Sequence, residues 1–352
     1  MNSTYIFFYY TTASVSLLFT LLFWNSKSRN IPINVLKQFI VLVVAAIYLI
    51  GMIRQFGVDY DSYLPAFYED SSQIPDIGFR LLMLLFHSVG LPFEIMMLFM
   101  GVLTLLSLRR VAEYFDISFV LLLVLYFLHL AVVRDFAQLR VGFALTIALL
   151  SITLSGNLNR SMLYLGASSV HITSIFFVIS YEYFKWLVNL QSKQKRLFFI
   201  LAAWAGIFMM GIFIQVLALF DRRVEIYLNW NEENYGASAG QFYILLFHIA
   251  ILALAYLTRK SWLSNLQTKT LIYLQITGVI IFLSFMNYSI FAFRLSNVVF
   301  SLYPVLLISL LERHLQMKYS RILAAIIYVV VGFLLMSRQG SFDILQLIQF
   351  GS

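Results

Sequence analysis

Residues 36–53 read LKQFIVLVVAAIYLIGMI, an apolar run that carries Lys37 near one end and is followed directly by Arg54. Its length is close to the 17–25 residues that an α-helix needs to cross the hydrocarbon core of a bilayer. Similar runs recur along the whole chain, in which 61% of the residues are apolar and 11% are charged. A water-soluble domain is about 25% charged. The composition therefore predicts an all-α, polytopic membrane protein.

These runs predict about ten transmembrane helices in a single integral membrane domain that covers residues 1–352. The predicted spans are 5–24, 36–53, 91–108, 117–133, 139–155, 197–217, 242–257, 270–287, 295–311 and 321–336. Pro304 lies inside the ninth span and predicts a kink there.

Two further segments are too short or too polar to be ordinary spans. Residues 77–89 are amphipathic, which predicts a helix that lies in the outer interface of the membrane. Residues 161–184 lie between two basic loops. A re-entrant pair of short helices, which enters the membrane and returns to the same side, would keep both of these loops cytoplasmic. Small and polar residues at its apex suit irregular backbone that faces protein or a water-filled cavity.

Lysine and arginine are distributed differently across the predicted membrane. All eight lysines fall in the loops on one side, which the positive-inside rule makes cytoplasmic. Because a guanidinium stays charged when desolvated and presents a planar fork to phosphate oxygens, arginine on the other side favours a bound anion. The alternative is that these arginines are membrane anchors or partners of carboxylates. The basic residues on the outer side are all arginines: Arg54, Arg80, Arg134, Arg140, Arg222, Arg223, Arg294 and Arg338.

The first predicted outer loop, together with the interfacial helix, covers residues 54–90 and carries candidate sugar-binding residues. Asp59 and Asp61 flank Tyr60, and Tyr63 follows. Aromatic rings stack on the apolar face of a sugar, while carboxylates accept hydrogen bonds from its hydroxyls. A solvated loop with interfacial tyrosines has the same pattern, so both interpretations stay open.

A second outer feature is the stretch VVRDFAQLRVGFA at residues 132–144. One predicted span ends at Arg134 and the next begins near Arg140. Asp135 can pair with either arginine, which would make the stretch structural, but one aspartate cannot neutralise two guanidiniums. If Arg140 lies at the start of a helix, the helix dipole adds to its positive field and favours an anionic ligand.

Other outer positions carry residues that are candidates for catalysis or substrate binding. His171, at the apex of the predicted re-entrant pair, can act as a general base when neutral or bind a phosphate when charged. A hydrogen-bonded packing role is the alternative for this histidine. Residues 218–241 form the largest predicted outer loop, in which Arg222 and Arg223 belong either to a substrate lid or to a passive cap. The chain has no cysteine and no histidine pair at i,i+4, so no thiolate or zinc site is predicted.

Five stretches, taken in order, resemble the EpsG-like branch of the Wzy-type bacterial polysaccharide polymerases, which include the O-antigen polymerases. Each stretch is short, so the resemblance rests on the ordered set, which covers about residues 50–305. The family often has glutamate at the position of Asp76 and glutamine at the position of Val141. The stretches are RQFGVDYDSYLPAFYE from residue 54, DIGFRLL from 76, RDFAQLRVGFA from 134, HITSIFF from 171 and FRLSNVVFSLYP from 293.

The resemblance implies a glycosyltransferase with a C-type membrane fold. It would join O-antigen or capsule repeat units, each carried on undecaprenyl diphosphate, at the periplasmic face of the bacterial inner membrane. No metal or cofactor is implied, because preorganised protein cations stabilise the diphosphate as it leaves. By resemblance, the diphosphate-binding role falls on Arg134, Arg140 and Arg294, with Arg54 next.

The resemblance also assigns roles around the acceptor. Asp59 or His171 would activate or orient the acceptor hydroxyl. The implied partners are the lipid-linked donor and acceptor, membrane lipid, a flippase and a candidate chain-length regulator, with no nucleic acid among them. The predicted sugar-binding set consists of Tyr60, Asp61, Tyr63, Arg80, Arg222 and Arg223.

Two other functions share several of these features. A transporter or flippase of lipid-linked sugars would also use a broken helix and buried charge, with its site near the midplane of the membrane. The two halves of the sequence show no internal repeat and the charges gather at one face, which favours an enzyme. An O-antigen ligase-type transferase would use the same donor with a different acceptor, and no residue identifies that acceptor.

Overall fold

The computed structural model describes residues 31–53, 60–136, 138–218, 237–286 and 289–314. These residues are mainly helical and contain no β-strand, which confirms the all-α prediction for this part of the chain. They fall into two compact units, of which the first ends at Val178 and the second begins at Ile179. The prediction of one integral membrane domain stays a prediction.

The described helices of the first unit are α1 (Ile31–Ile53), α2 (Tyr60–Tyr68), α3 (Ile77–Ser88), α4 (Phe93–Phe115), α5 (Phe119–Leu125), α6 (Leu139–Ile152) and α7 (Asn157–Val170), with a 3-10 turn at Ser71–Gln73. Helix α5 runs without interruption into a π-helical segment at Tyr126–Phe136, whose side chains include the fully buried Phe127 and Ala131. Helices α1, α4 and α6 pack around this continuous stretch.

The second unit begins within α8 (Ser174–Val188) and continues through α9 (Lys193–Ala218), α10 (Ala237–Leu257), α11 (Arg259–Trp262), α12 (Leu266–Ser284), α13 (Ser289–Val299) and α14 (Tyr303–His314). Pro304 is the second residue of α14, and a 3-10 turn at Phe300–Leu302 precedes that helix. Proline has no N–H to donate to the carbonyl four residues earlier, which accounts for the change from α-helical to 3-10 geometry on its N-terminal side. The kink at Pro304 stays a prediction.

Several described helices are long and apolar enough to cross a membrane. They are Phe93–Phe115, Lys193–Phe213, Leu266–Ser284 and Ala292–Leu311. Shorter apolar helices lie at Lys37–Ile53, Ile77–Ser88, Leu139–Ile152 and Leu245–Leu257. These helices support a membrane protein. The predicted spans 5–24 and 321–336 lie outside the described residues, and the count of ten stays a prediction.

Small polar side chains tie the apolar helices to one another within each unit. The hydroxyl oxygens of Thr104 on α4 and Thr146 on α6 lie 2.9 Å apart, and Ser107 Oγ donates to the carbonyl of Thr146 at 3.0 Å. In the second unit, Trp204 Nε1 donates to Thr277 Oγ1 at 3.1 Å. Hydrogen bonds of this kind give membrane helices contacts that apolar packing alone does not provide.

The two unusual segments predicted from the sequence are both present as short helices. Helix α3 buries Phe79 and Met83 and exposes Leu81 and Leu85, each 59% exposed. Its position in the outer interface of the membrane stays a prediction. Helices α7 and α8 are separated by a break at residues 171–173, close to the predicted apex at His171. The re-entrant course of the pair stays a prediction.

Residues 54–90 contain more helix than the sequence predicts. Residues 60–68 form α2 although Pro65 lies inside it. The ring of Phe67 packs against Phe93 at 5.3 Å and against His87 at 5.6 Å between ring centroids. This aromatic packing fixes a helix that local propensity does not favour.

Candidate functional site

Arg140, the second residue of α6, is the centre of a polar cluster in the first unit. Its Nε donates to the hydroxyl of Tyr63 at 2.6 Å, and its Nη1 forms an ion pair with Asp76 Oδ2. The guanidinium carbon lies 5.4 Å from the centroid of the Tyr63 ring. The Arg140 side chain is 24% exposed, and its Nη2 bonds to no protein group among the described residues. One terminal nitrogen is therefore left for a ligand.

Asp135 is the centre of a second cluster and lies in the π-helical segment. The hydroxyl of Tyr48 donates to Asp135 Oδ2 at 2.7 Å, and the hydroxyl of Tyr126 lies 3.0 and 2.9 Å from its two oxygens. Asp135 is 3% exposed and the neighbouring Arg134 is 2% exposed. The positive charge of Arg134 acts on the carboxylate. The expectation that Asp135 could be the partner of Arg140 is wrong, because that partner is Asp76.

The turn between the two arginines is tightly packed. The amide of Gln138 donates to the carbonyl of Arg134 at 2.8 Å, and the amide of Gly142 donates to the carbonyl of Gln138 at 2.9 Å. A Cβ atom on Gly142 would lie 2.6 Å from Asp135 Oδ1 and 3.1 Å from the backbone carbon of Arg134. The absence of a side chain at Gly142 thus lets α6 approach the end of the π-helical segment and keeps both arginines on one compact turn.

His171 lies at the break between α7 and α8 and bonds within its own turn. Its Nδ1 accepts a hydrogen bond from the amide of Thr173 at 3.3 Å and lies 2.7 Å from Thr173 Oγ1. Because Nδ1 is the acceptor, the neutral ring carries its proton on Nε2, an assignment that follows from this hydrogen bond. In that tautomer Nε2 donates a hydrogen bond rather than accepting a proton.

A close contact between α3 and α7 brings the Arg140 cluster and His171 to the same region of the first unit. A Cβ atom on Gly78 would lie 2.2 Å from Ser169 Oγ and 2.9 Å from the backbone nitrogen of Val170. Gly78 is two residues after Asp76, and Val170 is directly before His171. The first unit therefore brings together Arg140, Asp76, Tyr63 and the break that carries His171.

A match to a protein-family model covers most of the chain. The model is that of the EpsG family, and it matches residues 36–349. The chain belongs to the EpsG family. This membership supports a polysaccharide polymerase with glycosyltransferase-like activity. No curated protein and no solved structure matches the chain.

The other predicted site residues of this EpsG-family protein differ in their exposure and in the unit to which they belong, and several are not described. Arg80 lies half-buried on α3, and Arg294 is exposed on α13 in the second unit. Tyr60 and Asp61 begin α2, and their side chains lie outside the described residues. The remaining predicted positions, Arg54, Asp59, Arg222 and Arg223, also lie outside the described residues.

Three residues that contact Arg140 or Asp135 are absent from the sequence-based prediction. Asp76 directly precedes the interfacial helix, where the motif DIGFRLL was a usable signal. Tyr48 and Tyr126 lie inside apolar runs and look like ordinary membrane tyrosines. Their role becomes visible only when α1 and the π-helical segment converge on Asp135.

Replacing Gly78 by alanine should destabilise the first unit by about 1–3 kcal/mol, because the added methyl group overlaps backbone atoms that cannot move independently. Thermal unfolding of the purified protein in detergent measures the change. The matched control is Gly166→Ala on α7, where a Cβ atom would meet no atom within 4 Å. Equal unfolding temperatures for the two variants would show that the α3–α7 contact is unimportant.

Proposed function

We propose that this EpsG-family protein joins oligosaccharide repeat units, carried on undecaprenyl diphosphate, into O-antigen, capsular polysaccharide or exopolysaccharide. The observation that carries the proposal is Arg140, which Asp76 and Tyr63 hold on two sides while Nη2 stays available. A guanidinium held in this way presents charged N–H groups to phosphate oxygens in a fixed direction. The reaction would take place at the outer face of the bacterial inner membrane.

The proposed step transfers the growing glycan from its lipid carrier to a new lipid-linked unit. A hydroxyl oxygen on the distal sugar of the new unit attacks the anomeric carbon at the reducing end of the growing glycan. The bond between this carbon and the phosphate oxygen breaks, and the diphosphate leaves on its lipid with the electron pair. Arg140 and Arg134 stabilise the negative charge that develops on the leaving oxygen, so protein cations take the part that a metal plays elsewhere.

The proton of the attacking hydroxyl needs an acceptor, and we assign that role to Asp59. His171 is less suited to it, since its Nδ1 already accepts a hydrogen bond from the Thr173 amide. Arg54 and Arg294 would add to diphosphate binding.

Sugar recognition would fall to the residues around the outer face. The proposed set contains Tyr60, Asp61 and Tyr63 on α2 and Arg80 on α3. Arg222 and Arg223 complete the proposed set. Tyr63 is 3% exposed and its hydroxyl binds Arg140, which supports an additional part for this tyrosine in holding the guanidinium.

Reconstitution in liposomes tests this function. The purified protein is supplied with synthetic lipid-linked repeat units, and the products are separated on a gel. A ladder of elongated glycans is expected. Movement of labelled units across the bilayer without elongation would instead identify a transporter or flippase. In a parallel reaction that also contains a lipid A core acceptor, transfer of a single glycan to that acceptor without a ladder would identify a ligase-type transferase.

A further inference from the structure

Asp76 occupies the N-cap position of α3 but does not cap the helix. Aspartate is among the favoured N-cap residues because its side chain can accept a hydrogen bond from the exposed amides of the first turn. Asp76 has the extended backbone of a cap, with φ −81° and ψ 109°, and its carbonyl accepts from the Arg80 amide at 3.0 Å. Its carboxylate makes no hydrogen bond to the first turn.

Other helices of the same chain show what a side-chain cap looks like here. Ser118 Oγ accepts from the amide of Leu121 at 3.4 Å, and Asn265 Oδ1 accepts from the amide of Thr268 at 2.8 Å. Asp76 differs because its carboxylate is turned toward α6 and pairs with Arg140. Departures from a local structural preference are expected where a residue serves function.

The contacts of Arg140 explain what the diverted carboxylate does. A guanidinium is planar, so binding two of its three nitrogens fixes the direction of the third. Asp76 binds Nη1 and Tyr63 binds Nε, while the Tyr63 ring packs against Phe79 of α3 at 5.4 Å between centroids. Both anchors therefore depend on α2 and α3, and together they orient Nη2.

We propose that Asp76 is a positioning residue, which acts on the diphosphate through Arg140 and does not touch the reacting atoms. This inference rests on the proposed polymerase function. Loss of the carboxylate removes a negative charge near the bound diphosphate, so donor binding is not weakened. The guanidinium loses its fixed direction, however, and the rate of the chemical step falls. A selective effect on kcat, with KM for the donor unchanged or lower, separates positioning from binding.

Asp76→Ser is the most informative variant, because serine is a good N-cap residue and preserves helix α3 while removing the ion pair. In the reconstituted polymerisation assay, kcat should fall about 10- to 100-fold, with KM for the lipid-linked donor unchanged or lower. Asp76→Glu keeps the carboxylate and should restore most of the rate. The control is Asp70→Ser, which makes the same exchange at the exposed cap of the turn Ser71–Gln73 and should leave kcat unchanged.

The outcomes separate this inference from the proposed function. A wild-type protein that makes no polymer would refute the polymerase itself. A wild-type protein that polymerises while Asp76→Ser keeps kcat within about threefold would refute only the positioning role, as would an Asp76→Glu variant as slow as Asp76→Ser. Thermal unfolding of each variant shows that equal amounts of folded protein are compared.

Discussion

Replacing Arg140 by lysine is expected to reduce the long glycan chains of a polymerising strain to single repeat units on a gel. Lysine keeps the positive charge but has no planar fork, so it cannot bind Tyr63, Asp76 and a phosphate oxygen in one fixed arrangement. Loss of one preorganised donor at a developing negative charge slows catalysis by about 10²- to 10³-fold. Gel analysis of the surface polysaccharide measures the chain length.

The matched control is Arg109→Lys on α4. Arg109 is 67% exposed and pairs with Glu113 one turn later, a contact that lysine can also make. This variant should make chains of normal length. Normal chains from Arg140→Lys, at an equal level of membrane protein, would mean that Arg140 does not bind the diphosphate as proposed.

Replacing Asp135 by alanine should be the most damaging change to the stability of the first unit. The buried hydroxyls of Tyr48 and Tyr126 both donate to this carboxylate, and each would lose its acceptor. A buried polar group that loses its acceptor costs about 1–3 kcal/mol when no other partner is left. Because Tyr48 also forms a hydrogen bond with Thr104, the total loss should lie in the lower part of about 2–6 kcal/mol. Thermal unfolding in detergent and the protein level in membranes at 37 °C both measure it.

Two comparisons isolate the effect of the hydrogen bonds. Glu69→Ala removes an exposed carboxylate and should leave the unfolding temperature nearly unchanged. A triple variant with Tyr48→Phe, Tyr126→Phe and Asp135→Leu removes donors and acceptor together, and it should recover the part of the lost stability that is due to the hydrogen bonds. The buried charge of Arg134 loses the nearby carboxylate equally in Asp135→Ala and in the triple variant. If Asp135→Ala unfolds at the wild-type temperature, the cluster does not hold α1 to the π-helical segment.

The length of the apolar runs predicts several of the described helices, because each run is a local property of the sequence. The run at residues 36–53 corresponds to Ile31–Ile53, and the break near His171 follows from the small and polar residues around it. The sequence does not predict helix α2, because a contact with a distant residue decides its structure. Its polar sequence and Pro65 predict a loop, whereas the packing of Phe67 against Phe93 decides the structure.

The partners of charged residues could not be predicted because they depend on contacts between distant parts of the chain. Adjacency suggests Asp135 as a partner for either arginine; the charge of Arg134 does act on Asp135, but Arg140 pairs with Asp76, which lies far away in the sequence. Asp76 binds Arg140 although 64 positions separate them in the sequence, and Tyr48 binds Asp135 across a separation of 87 positions. The sequence thus predicted Arg140 as a phosphate ligand, while only the fold shows what holds it.

The most direct test of the account is the stoichiometry of lipid release during chain extension. Purified protein in liposomes is supplied with lipid-linked repeat units, and both the free undecaprenyl diphosphate and the new glycosidic bonds are counted. Glycosyl transfer with a diphosphate leaving group predicts one released lipid diphosphate for each bond formed, and a much slower release from Arg140→Lys. Elongation without matching release, or release that does not change in Arg140→Lys, would contradict the account.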